Sequence, residues 1–164
     1  ATKWLDFSPQ GSWIQYCFAD DAAVRVAEYA ITSANDAPER DPRDWNLLGS
    51  NDAVNWHNVD SRTGVYFSDR FQTKYFTIAD PAAYNIYKLE ITSVRDYSNA
   101  NSVQLAEIEW FTGDLNRNGS IGADDVQYMS NVWLMDDANA DIATPADGIV
   151  DLLDFSVLSG QWSK

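Results

Sequence analysis

The sequence predicts a mainly β protein: an antiparallel β-sandwich over residues 1–112, followed by a small α-helical module over residues 113–164. Three observations carry this reading. Short apolar and aromatic runs alternate with turn residues through the first 112 positions. Aromatic residues make up 13% of the chain, with seven Trp and eight Tyr, enough to fill a sandwich core. After Gly113 the pattern changes to acidic loops followed by apolar residues at helical spacing.

In chain order, residues 13–18 (Trp-Ile-Gln-Tyr-Cys-Phe) form an apolar strand. Residues 24–32 follow as a strand after the acidic turn Asp20-Asp21. Residues 33–44 are polar, hold two prolines, and read as a long loop. Further strands are expected at 45–50, 56–59, 70–78, 84–94 and 103–111, with a turn at Asn51-Asp52, a break at Asp80-Pro81 and a loop at 96–101. Trp4, Trp13, Trp45 and Trp56 read as core residues. So does Cys17, the only cysteine, which can form no intrachain disulfide. Thr112-Gly113 is a linker too short for free movement between the two parts.

The tail holds a cation-binding pattern. Asp114, Asn116 and Asn118 fall at positions 1, 3 and 5 of a twelve-residue loop of the EF-hand kind. Gly119 stands at the sharp turn, Ser120 offers its carbonyl at position 7, and Asp125 closes position 12. Alternate residues of such a loop can aim oxygens inward, as Ca²⁺ requires. A second copy lies 29 residues on: Asp154 matches Asp125, Asp147 matches Asn118, and Val126, Met129 and Trp133 match Phe155, Leu158 and Trp162. Asp141, Asp147, Asp151 and Asp154 are the candidate ligands of this second loop. With Asp141 at position 1 it carries two extra residues. Two units that cannot each bury an apolar face alone are expected to pack together.

This pair resembles a type I dockerin, a calcium-dependent module that docks onto cohesin domains; the resemblance covers residues 113–162. It implies bound Ca²⁺ and a cohesin-type protein partner. Residues 1–111 carry a second resemblance. Lys3-Trp4-Leu5-Asp6-Phe7, Gly11-Ser12-Trp13, Trp45-Asn46-Leu47-Leu48-Gly49-Ser50-Asn51-Asp52, Tyr87-Lys88-Leu89-Glu90-Ile91 and Leu105-Ala106-Glu107-Ile108-Glu109 are similar to a discoidin domain. That is the coagulation factor V/VIII C-type jelly roll shared with family 32 carbohydrate-binding modules. In that family a further strand precedes the Trp4-like residue, and the expectation is a sandwich lacking its first strand.

The resemblance places a ligand site where the loops before Trp13, after Thr32 and after Val94 gather. Asn35, Asp36, Glu39, Arg40, Arg43, Tyr97, Asn99 and Asn101 are its candidate residues, gathered with Trp4, Phe7 and Asp96, and Tyr97 is the platform for a sugar ring. Aromatic faces stack on pyranose C–H bonds, while Asn, Asp and Arg read hydroxyls with fixed geometry. Arg43 and Asp44 could instead form a self-satisfied turn. His57, the only histidine, sits in a strand and not in a loop, which weakens a galactose reading.

Charge bounds the remaining functions. The net charge is −14. Residues 1–112 hold 9 Lys/Arg against 16 Asp/Glu and residues 113–164 hold 2 against 9, so the shorter part carries the same −7. This excludes nucleic acid and anionic membranes as partners. No Ser/Cys–His pairing or zinc spacing is present, so the expected function is non-catalytic. The reading is a carbohydrate-binding module of a secreted, bacterial-type glycan-degrading protein, with a calcium tail for cohesin attachment. The alternative is a protein-interaction or structural sandwich with a calcium-stabilised cap and no sugar ligand.

Overall fold

The computed structural model describes residues 3–18, 21, 23–113, 115–116, 122–137, 139–143 and 147–161. It contains eleven strands among these residues, all paired antiparallel: β1 (Trp4–Asp6), β2 (Ser12–Cys17), β3 (Val24–Arg25), β4 (Glu28–Thr32), β5 (Pro42–Ser50), β6 (His57–Arg62), β7 (Thr73–Thr77), β8 (Ala83–Tyr84), β9 (Ile86–Val94), β10 (Val103–Leu105) and β11 (Glu107–Phe111). Two helices follow, α1 (Ala123–Asn131) and α2 (Leu152–Gln161). A four-stranded sheet, β2-β9-β5-β6, faces a three-stranded sheet, β11-β4-β7; β1-β10 and β3-β8 form two short ladders at the periphery.

Alternation along the strands builds the core. In β9, Tyr87, Leu89 and Ile91 are buried while Lys88 and Glu90 are less so. In β5, Trp45 and Leu47 do the same. The rings interleave between the sheets. Tyr29 of β4 stacks on Phe76 of β7 at 5.2 Å, Trp45 of β5 meets the same Phe76 edge-on at 5.1 Å, and Tyr87 of β9 lies 5.7 Å from Trp110 of β11. A polar chain runs through this apolar layer. Trp45 Nε1 donates to the Tyr29 hydroxyl at 2.8 Å, which donates to Asp60 Oδ2 at 2.8 Å, and Arg62 Nε donates to the same oxygen at 2.7 Å. Burial pushes the Tyr29 phenol well above its ordinary value, so it stays a donor.

Several boundaries differ from those the sequence suggests. The strand expected at 24–32 is broken at Val26-Ala27. The Tyr87 hydroxyl accepts from Val26 N at 3.3 Å and lies 2.8 Å from Val24 O, while Ala27 N donates to Phe111 O. These distant partners take the backbone groups a continuous ladder would need. The strand at 103–111 breaks at Ala106, whose N–H bonds Thr32 O. The loop at 33–44 ends at Asp41, and Pro42 to Asp44 already belong to β5. The strand at 56–59 is shifted to His57–Arg62, and that at 70–78 shrinks to Thr73–Thr77, because Phe71 takes φ 56° in a turn. Trp13 is 56% exposed and Cys17 is exposed, since both point away from the core on edge strand β2. Trp4 and Trp56 are half-buried, and Trp45 alone of the four tryptophans is fully inside.

The two helices have their own small core of Leu115, Met129, Ala140, Val150 and Leu158. Helix α1 ends at Asn131, so Trp133 falls beyond it and is 36% exposed; Trp162 lies outside the described residues. Arg25 of β3 joins the two cores, donating to Asn139 Oδ1 at 2.5 Å and to Asn139 O at 3.1 Å.

Replacing Tyr29 with Phe should remove the link between Trp45 and Asp60 and leave the buried Trp45 N–H unpaired, Asp60 keeping its bond from Arg62. A loss of about 1–3 kcal/mol in unfolding free energy is expected. Urea denaturation followed by tryptophan fluorescence measures it, and a midpoint equal to that of the parent would contradict this role.

Candidate functional site

One end of the sandwich collects the loops 33–41, 63–72 and 95–102, with Phe7 just after β1. Their backbones are tied together. Arg95 N donates to Asp41 O at 2.9 Å and Asp96 N to Glu39 O at 3.0 Å, which brings the third loop onto the first. Ser33 N donates to Gln72 O, and Gln72 N to Ser33 Oγ, both at 2.9 Å, which brings in the second. Pro38 starts a single 3-10 turn through Arg40, entered through Ala37 at φ 44°. A non-glycine residue in that region is held there by its surroundings.

Two buried polar residues hold the first loop. Gln104 of β10 is fully buried, and its amide donates to Asp36 O at 2.6 Å and Ala37 O at 3.2 Å. Lys3 Nζ donates to Gln104 Oε1 at 2.7 Å and to Asp36 Oδ1 at 2.5 Å. Arg70 grips Asp41 through both guanidinium nitrogens, Nη1 to Oδ1 at 2.8 Å and Nη2 to Oδ2. Asp41 is 1% exposed, and burial pushes its carboxyl up against the pull of Arg70. Asp41 in turn raises Arg70 and holds it charged.

The candidate residues therefore separate by task. Asp36 is committed to Lys3. Glu39 and Arg40 lie side by side at 3.7 Å and are half-buried. Asn99 Nδ2 is bound to Asp96 Oδ2 at 2.6 Å, and Asn101 Oδ1 accepts from Ser102. Arg43 lies 3.7 Å from Asp44, whose Oδ1 accepts from Gly64 N. That pair sits at the start of β5 and not in a turn. Asn35 and Tyr97 stand exposed, Tyr97 at 57%.

Sequence reasoning missed two aromatic side chains here, Tyr66 and Phe71, and placed a third, Phe7, at this end. Tyr66 is 53% exposed and packs under Arg95, whose guanidinium carbon lies 4.1 Å from its ring centre. Phe71 is 51% exposed because its turn conformation swings it out of the expected strand. Phe7 is 74% exposed. The sequence around Tyr66, Gly64-Val65-Tyr66-Phe67, shows an apolar run whose middle ring faces out; nothing in its spacing marks that ring.

In the helical part the two loops close in the same way. Asp125 Oδ1 accepts from Leu115 N at 2.7 Å and Asn116 N at 3.1 Å, and its Oδ2 from Gly122 N at 2.7 Å. Asp154 Oδ1 accepts from Ile142 N and Ala143 N, both at 2.7 Å, and its Oδ2 from Asp151 N at 2.8 Å. The matching bonds align Leu115 with Ile142, an offset of 27, and Gly122 with Asp151, an offset of 29. The two extra residues of the second loop therefore fall between Ala143 and Asp151. Asp151 Oδ1 accepts from Leu153 N at the start of α2, and exposed Asp147 accepts from Ile149 N. Asp141 Oδ2 accepts from Gly148 N, while its Oδ1 is buried with no hydrogen-bond partner. Burial and the nearby Asp154 and Asp147 raise the Asp141 carboxyl. An orphaned carboxylate oxygen near the Asp147 and Asp154 carboxylates fits a hard cation. Among the described residues no three carboxylates, imidazoles or thiolates converge closely enough to hold an ion by themselves. Asp114, Asn118 and Ser120 lie outside the described residues.

No protein-family model matches the chain. A stretch of 113 residues, 67% of the chain, is 38% identical to a peptide-N(4)-(N-acetyl-beta-glucosaminyl)asparagine amidase of Arabidopsis thaliana, of which it spans only 16%. Solved structures share the sandwich. The family 32 carbohydrate-binding module of Streptococcus pneumoniae EndoD superposes with a TM-score of 0.53 at 10% identity, covering 66% of this chain and 74% of that one. The family 32 module of Clostridium perfringens NanJ, solved with galactose, gives 0.52 at 16% identity, covering 66% and 75%. An F5/8 type C domain of Bacteroides fragilis gives 0.51 at 14%, covering 66% and 72%. The sandwich thus has the family 32, F5/8 type C fold.

The Lys3 contact holds the Asp36 carboxyl below its ordinary value of 3.8. A depressed folded value means the link is intact above the ordinary value and is lost as pH falls through the depressed one. A carbon-13 NMR titration should place the Asp36 midpoint below 3.8 and return it toward that value in Lys3→Met. Equal midpoints in the two proteins would show that the Lys3 contact does not form.

Proposed function

We propose that residues 1–112 are a non-catalytic carbohydrate-binding module, with its ligand at the loop end. One observation carries the reading: four half-exposed or exposed aromatic rings, Phe7, Tyr66, Phe71 and Tyr97, stand at a loop end whose backbone is held by buried polar side chains. Aromatic faces for C–H stacking on a fixed scaffold, with Asn35, Arg40, Asn99 and Asn101 nearby, suit a pyranose. The fold of the galactose-bound NanJ module and the glycan-linked name of the Arabidopsis relative favour the same ligand class. Asp36 and Arg43 act as scaffold in this reading, and Tyr97, Arg40 and Asn99 as contacts. Binding to a glycan array, followed by calorimetry on the best ligand, tests it. Tyr97→Ala should weaken binding at least tenfold, about 1.4 kcal/mol, at unchanged melting temperature. Retained affinity in Tyr97→Ala, or no glycan bound by the folded protein, would overturn it.

The helical part is proposed to bind Ca²⁺ and to dock onto a protein partner of the cohesin type, on a secreted parent protein. Support for the ion comes from the orphaned Asp141 oxygen and from the loop pattern of Asp114, Asn116, Asn118, Ser120 and Asp125, with Asp147, Asp151 and Asp154 in the second loop. Bound Ca²⁺ would supply a positive centre on which the loop oxygens converge. Support for the partner comes from an exposed apolar surface. Val126, Met129, Trp133, Leu152 and Phe155 line a depression of about 290 Å³, and Leu134 and Leu153 stand exposed beside it. Calcium at a hundredfold excess over its dissociation constant should stabilise the module by about 2.7 kcal/mol. Circular dichroism melts with calcium and with chelator measure this. A helical melt indifferent to both, starting from metal-free protein, would contradict calcium binding.

A further inference from the structure

The charged side chains at the loop end fall into matched pairs, with one exception. Lys3 holds Asp36, Arg70 holds Asp41, and Arg40 and Arg43 lie beside Glu39 and Asp44. The other carboxylates there have donors of their own: Asp69 Oδ2 accepts from Ser68 Oγ at 2.8 Å, and Asp96 Oδ2 from Asn99 Nδ2 at 2.6 Å. Arg95 is the exception. Among the described residues no carboxylate forms an ion pair with it.

Neutral groups hold the Arg95 guanidinium instead. Nη1 donates to Phe67 O at 3.2 Å and Nη2 to the Tyr66 hydroxyl at 2.6 Å, and the guanidinium carbon lies 4.1 Å from the Tyr66 ring centre. These contacts fix the group without cancelling its charge. They also leave N–H groups over, because each terminal nitrogen carries a second N–H and Nε carries one more. Asp41 does not cancel the charge either. Burial pushes its carboxyl up, the bond from Arg70 pulls it down, and Arg95 adds a weaker pull. Both oxygens of Asp41 are already taken by Arg70.

The backbone puts this charge in the ligand site. Arg95 N donates to Asp41 O and Asp96 N to Glu39 O, so Arg95 stands at the base of the loop that carries Tyr97, against the loop that carries Arg40. Arg40 also has an N–H to spare, since its Nε is buried with no hydrogen-bond partner.

We propose that the ligand is an acidic sugar, a pyranose bearing a carboxylate, with the carboxylate taken by Arg95 and the ring against the exposed aromatic side chains. This rests on the carbohydrate reading above and adds to it the class of sugar. A planar guanidinium recognises a carboxylate by charge and by paired N–H groups, which a neutral hydroxyl cannot match. A polyanion needs a broad basic surface, which this chain lacks, whereas a single carboxylate needs one open guanidinium. The net charge of −14 does not forbid it. Exposed charges beyond a Debye length, about 8 Å at physiological salt, are largely screened.

The test uses the whole protein and two probe pairs: a disaccharide with one uronic acid and its methyl ester, and sialyllactose and its methyl ester. Esterification removes the charge and keeps the ring. Calorimetry should show one of the acids bound at least about tenfold more tightly than its ester, the size of one charge-assisted hydrogen bond. In Arg95→Gln that acid and its ester should bind within about threefold of each other. The ester comparison in the parent needs no variant, so it decides even if Arg95→Gln does not fold. Esters or neutral array glycans bound as tightly as the acids, or a preference that survives in folded Arg95→Gln, would overturn the acidic ligand and leave the carbohydrate reading standing. Failure of every glycan, acidic or neutral, to bind the folded protein would overturn that reading and this inference with it.

Discussion

The hydrogen-bonded chain from Trp45 through Tyr29 to Asp60 and Arg62 is the constraint on which the sandwich depends. Its members come from both sheets: Trp45, Asp60 and Arg62 from the four-stranded one and Tyr29 from the three-stranded one. Apolar packing alone would let two sheets slide over each other at little cost. A buried donor and acceptor pair does not, because a shift of a few ångströms leaves polar atoms unpaired in a dry interior. Phe76 is held in the same place, stacked on Tyr29, edge-on to Trp45, and with the Arg62 guanidinium 5.4 Å from its ring centre. Arg62 Nη2 also reaches Thr77 O in the next residue, so the chain spans β4, β5, β6 and β7.

The loop end inherits this rigidity through shorter devices. Arg70 with Asp41, and Gln104 with the 36–37 backbone, neutralise the polar groups that would otherwise demand water beneath the loops. Four rings, Phe7, Tyr66, Phe71 and Tyr97, are left outward among small and polar residues. The division is physical: a charge that shapes a loop is bonded and unavailable, while a ring needs no partner to remain exposed.

The strands and the two-part organisation were legible because alternation and composition are local properties. Tyr87 with Leu89 and Ile91, and the acidic shift after Gly113, needed no tertiary knowledge. The breaks were not legible. Val26 leaves its ladder because a hydroxyl 61 residues away takes its N–H, and no window around Val26 contains that hydroxyl. Trp13 and Trp45 both read as core residues of strands, yet one sits on edge strand β2 and the other centrally in β5, so topology separates them. The same holds at the site. Tyr97 was found because it sits in a polar loop, whereas Tyr66 hid between two apolar neighbours. The sequence places the second loop's two extra residues between Asp141 and Asp147, and the bonds that Asp154 accepts place them between Ala143 and Asp151.

The bond from Arg25 to Asn139 has a mechanical meaning. Among the described residues it adds an attachment at β3 to the chain connection at the end of β11, and two attachments define a lever arm. Asn139 lies in the turn between α1 and the second loop, anchored by Asp137 and facing Tyr128. A load applied to either helix is therefore shared with β3, and reaches the sheets by a route that bypasses the linker. The loop end of the sandwich then keeps a fixed bearing relative to whatever holds the helices.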